Sequence, residues 1–127
     1  MREVINTDQA PNPVGPYNQA ISVNNMLFIS GQIAINPETG EMVQDSIEEE
    51  TKQVMHNLGA VLHAAMLDYA DIVMCTVYVT DMGNYGRINT VYADYFDSDT
   101  APARALVECT ALPKGANVEI SVIATLK

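Results

Sequence analysis

The spacing of apolar residues along the chain predicts two amphipathic helices. Between residues 46 and 67 apolar side chains recur on one face at about 3.6 residues per turn. This stripe consists of Ile47, Val54, Leu58, Val61 and Ala65. Ser46 followed by Glu49 matches a capping box, and we expect the run 48–50 to be solvated at the positive end of the helix dipole. A second helix is predicted over residues 84–96, with Tyr85, Ile88, Tyr92 and Tyr95 on one face.

The other apolar segments are rich in β-branched residues or alternate with polar ones, which predicts strands. They lie at residues 2–5, 17–23, 26–30, 71–81, 103–111 and 117–126. The order β-β-β-α-β-α-β-β predicts one α+β domain over residues 1–127, with two helices packed on one face of a mixed sheet. We expect the last two strands to form a hairpin through the turn LPKGA. The second face of the sheet then has no cover within the chain, and we expect another subunit to bury it.

Composition narrows the class of protein. The chain has 127 residues and a net charge of -10, and its six basic residues form no run. Nucleic-acid binding needs a basic stripe that releases counterions from phosphates, so it is not favoured. No apolar run reaches the roughly 18 residues that span a bilayer, and no signal peptide is recognisable at the start. We therefore expect a cytoplasmic protein without a membrane association, or a mitochondrial one in a eukaryote.

Cysteine and histidine give no metal or redox motif. Cys75 and Cys109 fall in apolar strand segments without a CxxC spacing, which predicts buried free thiols in a reducing compartment. His56 and His63 lie opposite the apolar stripe of the first helix and lack a third ligand. We expect them to be solvated, and we predict no metal site.

Two charged residues stand out in the closing strands. Alternation places Arg104 and Leu106 on one face of their strand, whereas Glu119 faces away from the helix-covered side of the last strand. The hairpin geometry separates the two charges by about 17 Å, too far for contact within one chain. A surface salt bridge or rim charges would explain them. In a symmetric oligomer, Arg104 of one subunit could instead meet Glu119 of the next.

Several motifs, in their order and spacing, resemble the RidA/YjgF family, also labelled endoribonuclease L-PSP, over the whole chain. The matching stretches are GPYNQA, LFISGQIAINPETGEMV, DIVMCTVYVTDM, INTVYADYF, APAR and LPKGANVEIS. The resemblance implies a chorismate-mutase-like homotrimer with clefts between subunits. It also implies an enzyme that hydrolyses 2-iminobutanoate and 2-iminopropanoate to 2-oxo acids and ammonia without a cofactor.

The resemblance implies a role for individual residues. Arg104 matches an arginine that binds the substrate carboxylate, and Glu119 matches an acid that orients or activates water. The backbone carbonyl of Leu106 would accept a hydrogen bond from the imine nitrogen. Further cleft-lining positions are Tyr17, Ser30, Gly31 and Asn89. Leu106 stands where cysteine is frequent, and Asn117 and Ser121 stand where an apolar residue and a glutamate are common.

Two other functions stay open at the level of sequence. A non-catalytic module, of a small-carboxylate-binding or chaperone-like kind, would use the same cleft without turnover. An endoribonuclease or translation inhibitor would fit a label long attached to the family, but the acidic charge of the chain argues against it.

Overall fold

The computed structural model describes residues 1–127 and contains six strands and two α-helices. The elements are β1 (Glu3–Ile5), β2 (Ala20–Val23), β3 (Met26–Gln32), α1 (Ile47–Ala64), β4 (Ile72–Val79), α2 (Tyr85–Ala93), β5 (Ala103–Glu108) and β6 (Val118–Thr125). Their order is the predicted β-β-β-α-β-α-β-β. The β2–β3 hairpin turns through Asn24 and Asn25, which have φ of 51° and 64°. Positive φ at both turn residues matches the twist of the strands, and asparagine tolerates it.

The six strands form one mixed sheet in the order β1-β2-β3-β6-β4-β5. All neighbours are antiparallel except β4 and β5, which are parallel. Parallel neighbours need a crossover, and α2 supplies it. The prediction that the last two strands form a hairpin is therefore wrong. β4 lies between β5 and β6 and pairs with both.

Both helices cover the same face of the sheet and bury the main core against it. The apolar stripe of α1 packs as predicted, with Val54, Leu58 and Val61 fully buried. The Ser46 hydroxyl accepts a hydrogen bond from the backbone N–H of Glu49 at 3.1 Å, which caps α1. α2 ends at Ala93, earlier than predicted, because the next residues make tighter turn bonds to the third residue back.

The opposite face of the sheet is uncovered and largely apolar. Cross-strand pairing aligns Phe28, Ile123 and Met74 in one row, and Phe28 is 42% exposed. Val107 on β5 and Val73 on β4 add exposed apolar surface. The expectation that one sheet face lacks a cover within the chain is confirmed. Contiguous exposed apolar surface of this kind is typical of a protein–protein interface.

Two expectations about side-chain environment need correction. Glu50 was predicted to be solvated with its neighbours, but it is 1% exposed because its carboxylate turns inward onto Asn117. Cys75 is buried as predicted, whereas Cys109 lies at the end of β5 and is partly exposed. Both thiols are free. No helix is long and apolar enough to cross a membrane.

Candidate functional site

A cavity of about 410 Å³ opens between the loop that precedes β2, the end of β3 and the turn that precedes β6. Four of the predicted site residues meet here, either lining the cavity wall or pointing into it: Tyr17, Ser30, Gly31 and Glu119. The cavity is lined by both apolar and polar groups, as small-molecule sites usually are.

A bulge in β3 shapes one side of this cavity. Ile29 pairs with Val122 and Gln32 pairs with Ile120, so Ser30 and Gly31 together face one residue of β6. Such a bulge bends the strand and changes the direction of its side chains. The Ser30 hydroxyl donates to the backbone oxygen of Asn18 at 2.7 Å, which ties the bulge to the preceding loop.

Glu119 lies on the uncovered face of β6 and is half-buried in the cavity. It has no basic partner and no hydrogen-bond donor within the chain. Burial raises the pKa of the Glu119 carboxyl above its ordinary value, because desolvation disfavours the charged form. A carboxylate with no fixed partner is free to accept a proton, and a raised pKa makes it a stronger base than an ordinary carboxylate.

The loop that forms the outer wall of the cavity is organised by Gln19, which sequence reasoning missed. Gln19 is 1% exposed, and its side-chain oxygen accepts from the Thr7 N–H at 2.6 Å. Its side-chain nitrogen donates to three backbone oxygens in the same loop, those of Thr7, Ala10 and Pro11. Loop backbone groups need such partners when they are buried. The sequence signal was slight, a glutamine beside a Pro- and Asn-rich loop.

Lys114 is the second residue that sequence reasoning did not place at the site. It lines the cavity and adopts a φ of 55°, in the left-handed region. Gly115 follows with a φ of 67°, so the turn carries two successive left-handed residues. Non-glycine residues reach this region only at an energetic cost. The turn therefore presents Lys114 to the cavity only while its surroundings hold it.

Arg104 lies elsewhere, on the helix-covered side of the edge strand β5. Asn89 of α2 accepts a hydrogen bond from its guanidinium at 2.7 Å, and the Tyr85 hydroxyl lies at 3.5 Å. The guanidinium carbon is 4.9 Å from the centre of the Tyr92 ring, a cation–π distance. No carboxylate of the chain pairs with Arg104. Its remaining N–H groups are free for an external anion.

The structure therefore separates the predicted site residues into two groups. Arg104 pairs with Cys75 of β4, and Glu119 pairs with Tyr78, which lies three residues further along β4. Because side chains alternate along a strand, Arg104 and Glu119 lie on opposite faces of the sheet. Asn89 belongs to the Arg104 group. Leu106 lies on the same strand as Arg104 and packs its side chain against the core. We refer to these two separate groups as the Arg104 half-site and the Glu119 half-site.

The histidines do not contribute to either half-site. His56 and His63 are exposed on α1 and border a separate surface cavity. His63 lies 3.7 Å from a carboxylate oxygen of Asp68. No group of three or more metal-ligating side chains occurs in the chain.

Comparison with known proteins places the chain in a family. The endoribonuclease L-PSP family model matches residues 7–126, nearly the whole chain. The chain belongs to the endoribonuclease L-PSP, or RidA/YjgF, family. The recognition made from the motifs is therefore confirmed. Within this family the chain is 48% identical over 124 residues to a RutC family protein of Pyrococcus horikoshii, covering 98% of each.

A second relative in the family carries a specific activity in its name. The 2-iminobutanoate/2-iminopropanoate deaminase of mouse is 43% identical over 124 residues, covering 98% of this chain and 91% of that protein. Solved structures share the fold. A Rid family protein of Yersinia pestis has a TM-score of 0.96 at 48% identity, covering 99% of this chain and 100% of that one. The TdcF protein of E. coli with bound serine has a TM-score of 0.92 at 37% identity, covering 98% and 99%.

Proposed function

We propose that this RidA/YjgF protein hydrolyses small 2-imino acids to 2-oxo acids and ammonia, without a cofactor, in clefts between the protomers of a homotrimer. The observation that carries the proposal is the unpaired guanidinium of Arg104, held in place but left open to an anion. The name of the mouse relative supports the choice of reaction.

The surroundings of Arg104 suit it to hold a carboxylate. Asn89 takes one of its five N–H groups, and the Tyr92 ring supports the plane of the guanidinium. The remaining N–H groups match a carboxylate through two parallel charge-assisted hydrogen bonds. A substrate bound in this way has its C=N carbon next to the anchored carboxylate. Binding through the carboxylate therefore fixes the position of the reacting carbon.

The two half-sites give the reason for assembly. Glu119 and Arg104 lie on opposite faces of the sheet, so neither can act on a substrate that the other binds in the same chain. The uncovered apolar face carries Glu119, and exposed apolar surface of this kind supports burial against another protomer. A cyclic trimer brings the Glu119 half-site of one protomer to the Arg104 half-site of the next by a repeated head-to-tail contact.

The proposed reaction adds water across the C=N bond. The Glu119 carboxylate accepts a proton from a water molecule as the water oxygen bonds to the imine carbon. The protonated Glu119 then gives this proton to the amino nitrogen of the carbinolamine. The C–N bond breaks, the bonding pair leaves with the nitrogen as ammonia, and the C=O bond forms as the hydroxyl proton passes to the departing ammonia. The backbone carbonyl of Leu106 would accept a hydrogen bond from the imine nitrogen, which favours the protonated, electrophilic form.

A coupled assay tests this function. A serine or threonine dehydratase releases the imine, semicarbazide traps it, and the purified protein is added to compete with the trap. We expect the protein to accelerate 2-oxo acid release and the variant Arg104→Ala to lose most of this effect. Equal rates with and without the wild-type protein, or with Arg104→Ala in its place, would contradict the proposal.

The same preparation separates the other candidate functions. A binding module would bind 2-oxobutanoate by calorimetry but would leave the imine rate unchanged. The endoribonuclease activity in the family's label has little support, because three of the six basic residues, Lys52, Arg87 and Lys127, pair with acids. Few cations remain to meet phosphates.

A further inference from the structure

A buried carboxylate on α1 holds the turn that forms one wall of the cavity. Glu50 is 1% exposed, and no lysine, arginine or histidine pairs with it. One of its oxygens accepts from the backbone N–H of Asn117 at 2.7 Å, and the other accepts from the Asn117 side-chain amide at 2.9 Å. Both carboxylate oxygens of Glu50 therefore accept hydrogen bonds from Asn117, a single residue of the turn.

Two further hydrogen bonds extend this contact along the turn. The side-chain amide of Gln44 lies 3.4 Å from Glu50 and donates to the backbone oxygen of Gly115 at 2.9 Å. The Thr80 N–H donates to the backbone oxygen of Asn117 at 3.2 Å. These bonds restrain a segment in which Lys114, a non-glycine residue with a φ of 55°, is costly to keep in place.

The restrained turn borders the reacting part of the cavity. Pro113 and Lys114 line it, and Glu119 follows Asn117 by two residues on β6. A buried carboxylate without a cation is stable only while N–H donors satisfy it. Loss of either partner in the Glu50–Asn117 contact should therefore release the turn rather than remove one isolated bond.

We propose that Glu50 and Asn117 form a positioning pair, which holds the turn 113–117 against the cavity, where the turn helps to bury the Glu119 carboxyl. The pair explains why asparagine occupies position 117 in this chain, where the family resemblance leads one to expect an apolar residue. The catalytic consequence rests on the proposed function. The structural consequence does not, and it can be measured without a substrate.

The substitution Glu50→Gln tests the pair with little change in shape. It sets one side-chain NH₂ group against the NH₂ group of Asn117. The Asn117 amide can accept from this group only by turning over, which takes its oxygen away from the Thr80 hydroxyl at 3.4 Å, and the bond that forms is between neutral groups. We expect the backbone amide of Asn117 to exchange with solvent at least about tenfold faster, because the turn opens locally. The matched control is Glu49→Gln, which changes an exposed carboxylate on the same helical turn and should leave this rate unchanged.

A second readout follows the Glu119 carboxyl itself. Burial raises the pKa of Glu119, and the titratable groups around it are Tyr17 and Lys114 in the cavity and Tyr78 opposite on β4. If the released turn exposes the Glu119 carboxyl to more water in Glu50→Gln, the pKa of Glu119 should fall toward its ordinary value in a carbon-detected NMR titration. We also expect kcat for the imine to fall about tenfold with KM little changed, because Arg104 lies in the other half-site.

An exchange of the two groups provides the sharpest test. Glu50→Gln combined with Asn117→Asp keeps one carboxylate and one amide in contact. It reverses only the bond between the two side chains, while the backbone N–H of residue 117 still donates to the side-chain oxygen of residue 50. We expect this double variant to recover the slow amide exchange, the raised pKa of Glu119 and most of kcat. Asn117→Ala alone should behave like Glu50→Gln.

The outcomes are decisive in both directions. Wild-type amide exchange and an unchanged Glu119 pKa in Glu50→Gln would overturn the inference, even if the variant were less stable. Failure of the double variant to restore either property would also overturn it. If the wild-type protein hydrolyses no imine, the proposed function fails, and the exchange and titration measurements still decide whether Glu50 and Asn117 position the turn.

Discussion

Gly31 and Glu119 are in such close contact that a side chain at position 31 would occupy the space of the Glu119 carboxyl. A Cβ atom built on Gly31 meets the carboxylate oxygen and carbon of Glu119 well inside contact distance. The bulge in β3 brings the backbone this near. The position of the Glu119 carboxyl therefore depends on the absence of an atom on the neighbouring strand.

The first prediction concerns this contact. Gly31→Ala should displace the Glu119 carboxyl, because the new methyl group and the carboxyl cannot share the same space. We expect kcat for the imine to fall about a hundredfold, as displacements near 1 Å can do, while KM changes little. Steady-state kinetics in the coupled assay measures both constants.

Gly86→Ala serves as the control for Gly31→Ala. Gly86 lies in α2 with open space around it, so a methyl group meets no other atom. We expect unchanged kcat and a gain in unfolding free energy of about 0.5–1 kcal/mol, since alanine has the higher helix propensity. Equal kinetics for Gly31→Ala and Gly86→Ala would show that the Glu119 position does not matter for catalysis.

The second prediction concerns pH. Burial raises the pKa of Glu119 above its ordinary value of 4.5, and the carboxylate is the form that accepts a proton, so kcat/KM should rise with pH through a midpoint above 4.5. Between the ordinary and the raised value the folded state binds more protons than the unfolded state. The free energy of unfolding therefore falls as pH rises through this window.

Glu119→Gln separates these two effects of the carboxyl. The variant should lose most of its activity and, at neutral pH, unfold at a higher urea concentration than the wild-type protein, because no buried charge has to form. Urea titrations at pH 4 and pH 7 measure the change. A variant that is less stable than wild type at pH 7 would contradict the assigned cause of the pKa shift.

The third prediction concerns the shape of the cation. Arg104→Lys keeps the charge but loses the planar fork, the hydrogen bond to Asn89 and the flat contact with Tyr92. We expect KM for the imine and the inhibition constant of 2-oxobutanoate to rise about tenfold or more. Arg87→Lys, at an exposed ion pair with Glu48, is the control and should leave both constants unchanged. Unaltered constants in Arg104→Lys would exclude paired hydrogen bonds to the carboxylate.

The fourth prediction concerns a hydroxyl without a partner. Tyr92 is 8% exposed, and its hydroxyl has no nitrogen or oxygen partner; only the thiol of Cys75, a weak hydrogen-bonding group, lies close to it. Tyr92→Phe removes the unsatisfied group and keeps the ring beneath Arg104, so we expect the unfolding free energy to rise by about 1 kcal/mol.

Tyr69→Phe is the matched comparison for Tyr92→Phe. The Tyr69 hydroxyl donates to the backbone oxygen of Met55 at 2.7 Å. Its removal should lower the unfolding free energy by about 1 kcal/mol, because the oxygen of Met55 loses its side-chain donor. Urea unfolding of both variants gives the two signs. The same sign in both would contradict the different environments of these hydroxyls.

Periodicity predicted the helices and the order of elements because both follow from local spacing. It wrongly predicted that β6 pairs with β5. In the sequence, an apolar strand followed by a turn looks the same whether the strand pairs with the next strand in a hairpin or with a different strand in parallel. LPKGA has the length and the glycine of a hairpin loop, so the sequence alone could not place β4 between the last two strands. Strands that follow each other in the sequence usually pair, so a hairpin was the simplest prediction.

The residues of the two half-sites were predicted from motifs, and their roles stay predictions. The residues that support them in the structure were not predicted. Arg104 and Glu119 are charges in apolar strands, and this gave a signal that Gln19 and Glu50 lack. Glu50 sits in an acidic first turn, where three neighbouring glutamates look alike. Only the fold shows that one of them turns inward to meet a residue 67 positions along the chain.

The central claim is that one site draws Arg104 and Glu119 from different protomers, and mixed assemblies test it most directly. Arg104→Ala and Glu119→Gln are each expected to be inactive alone. When both are co-expressed in equal amounts and assemble at random, about a quarter of the clefts in a cyclic trimer receive both intact residues. We predict that the whole co-expressed population, in which native mass spectrometry verifies mixed trimers, recovers about a quarter of the wild-type kcat, and that purified mixed trimers, with one intact cleft in three, recover about a third. Mixed trimers with no more activity than the two variants measured separately would contradict the shared site.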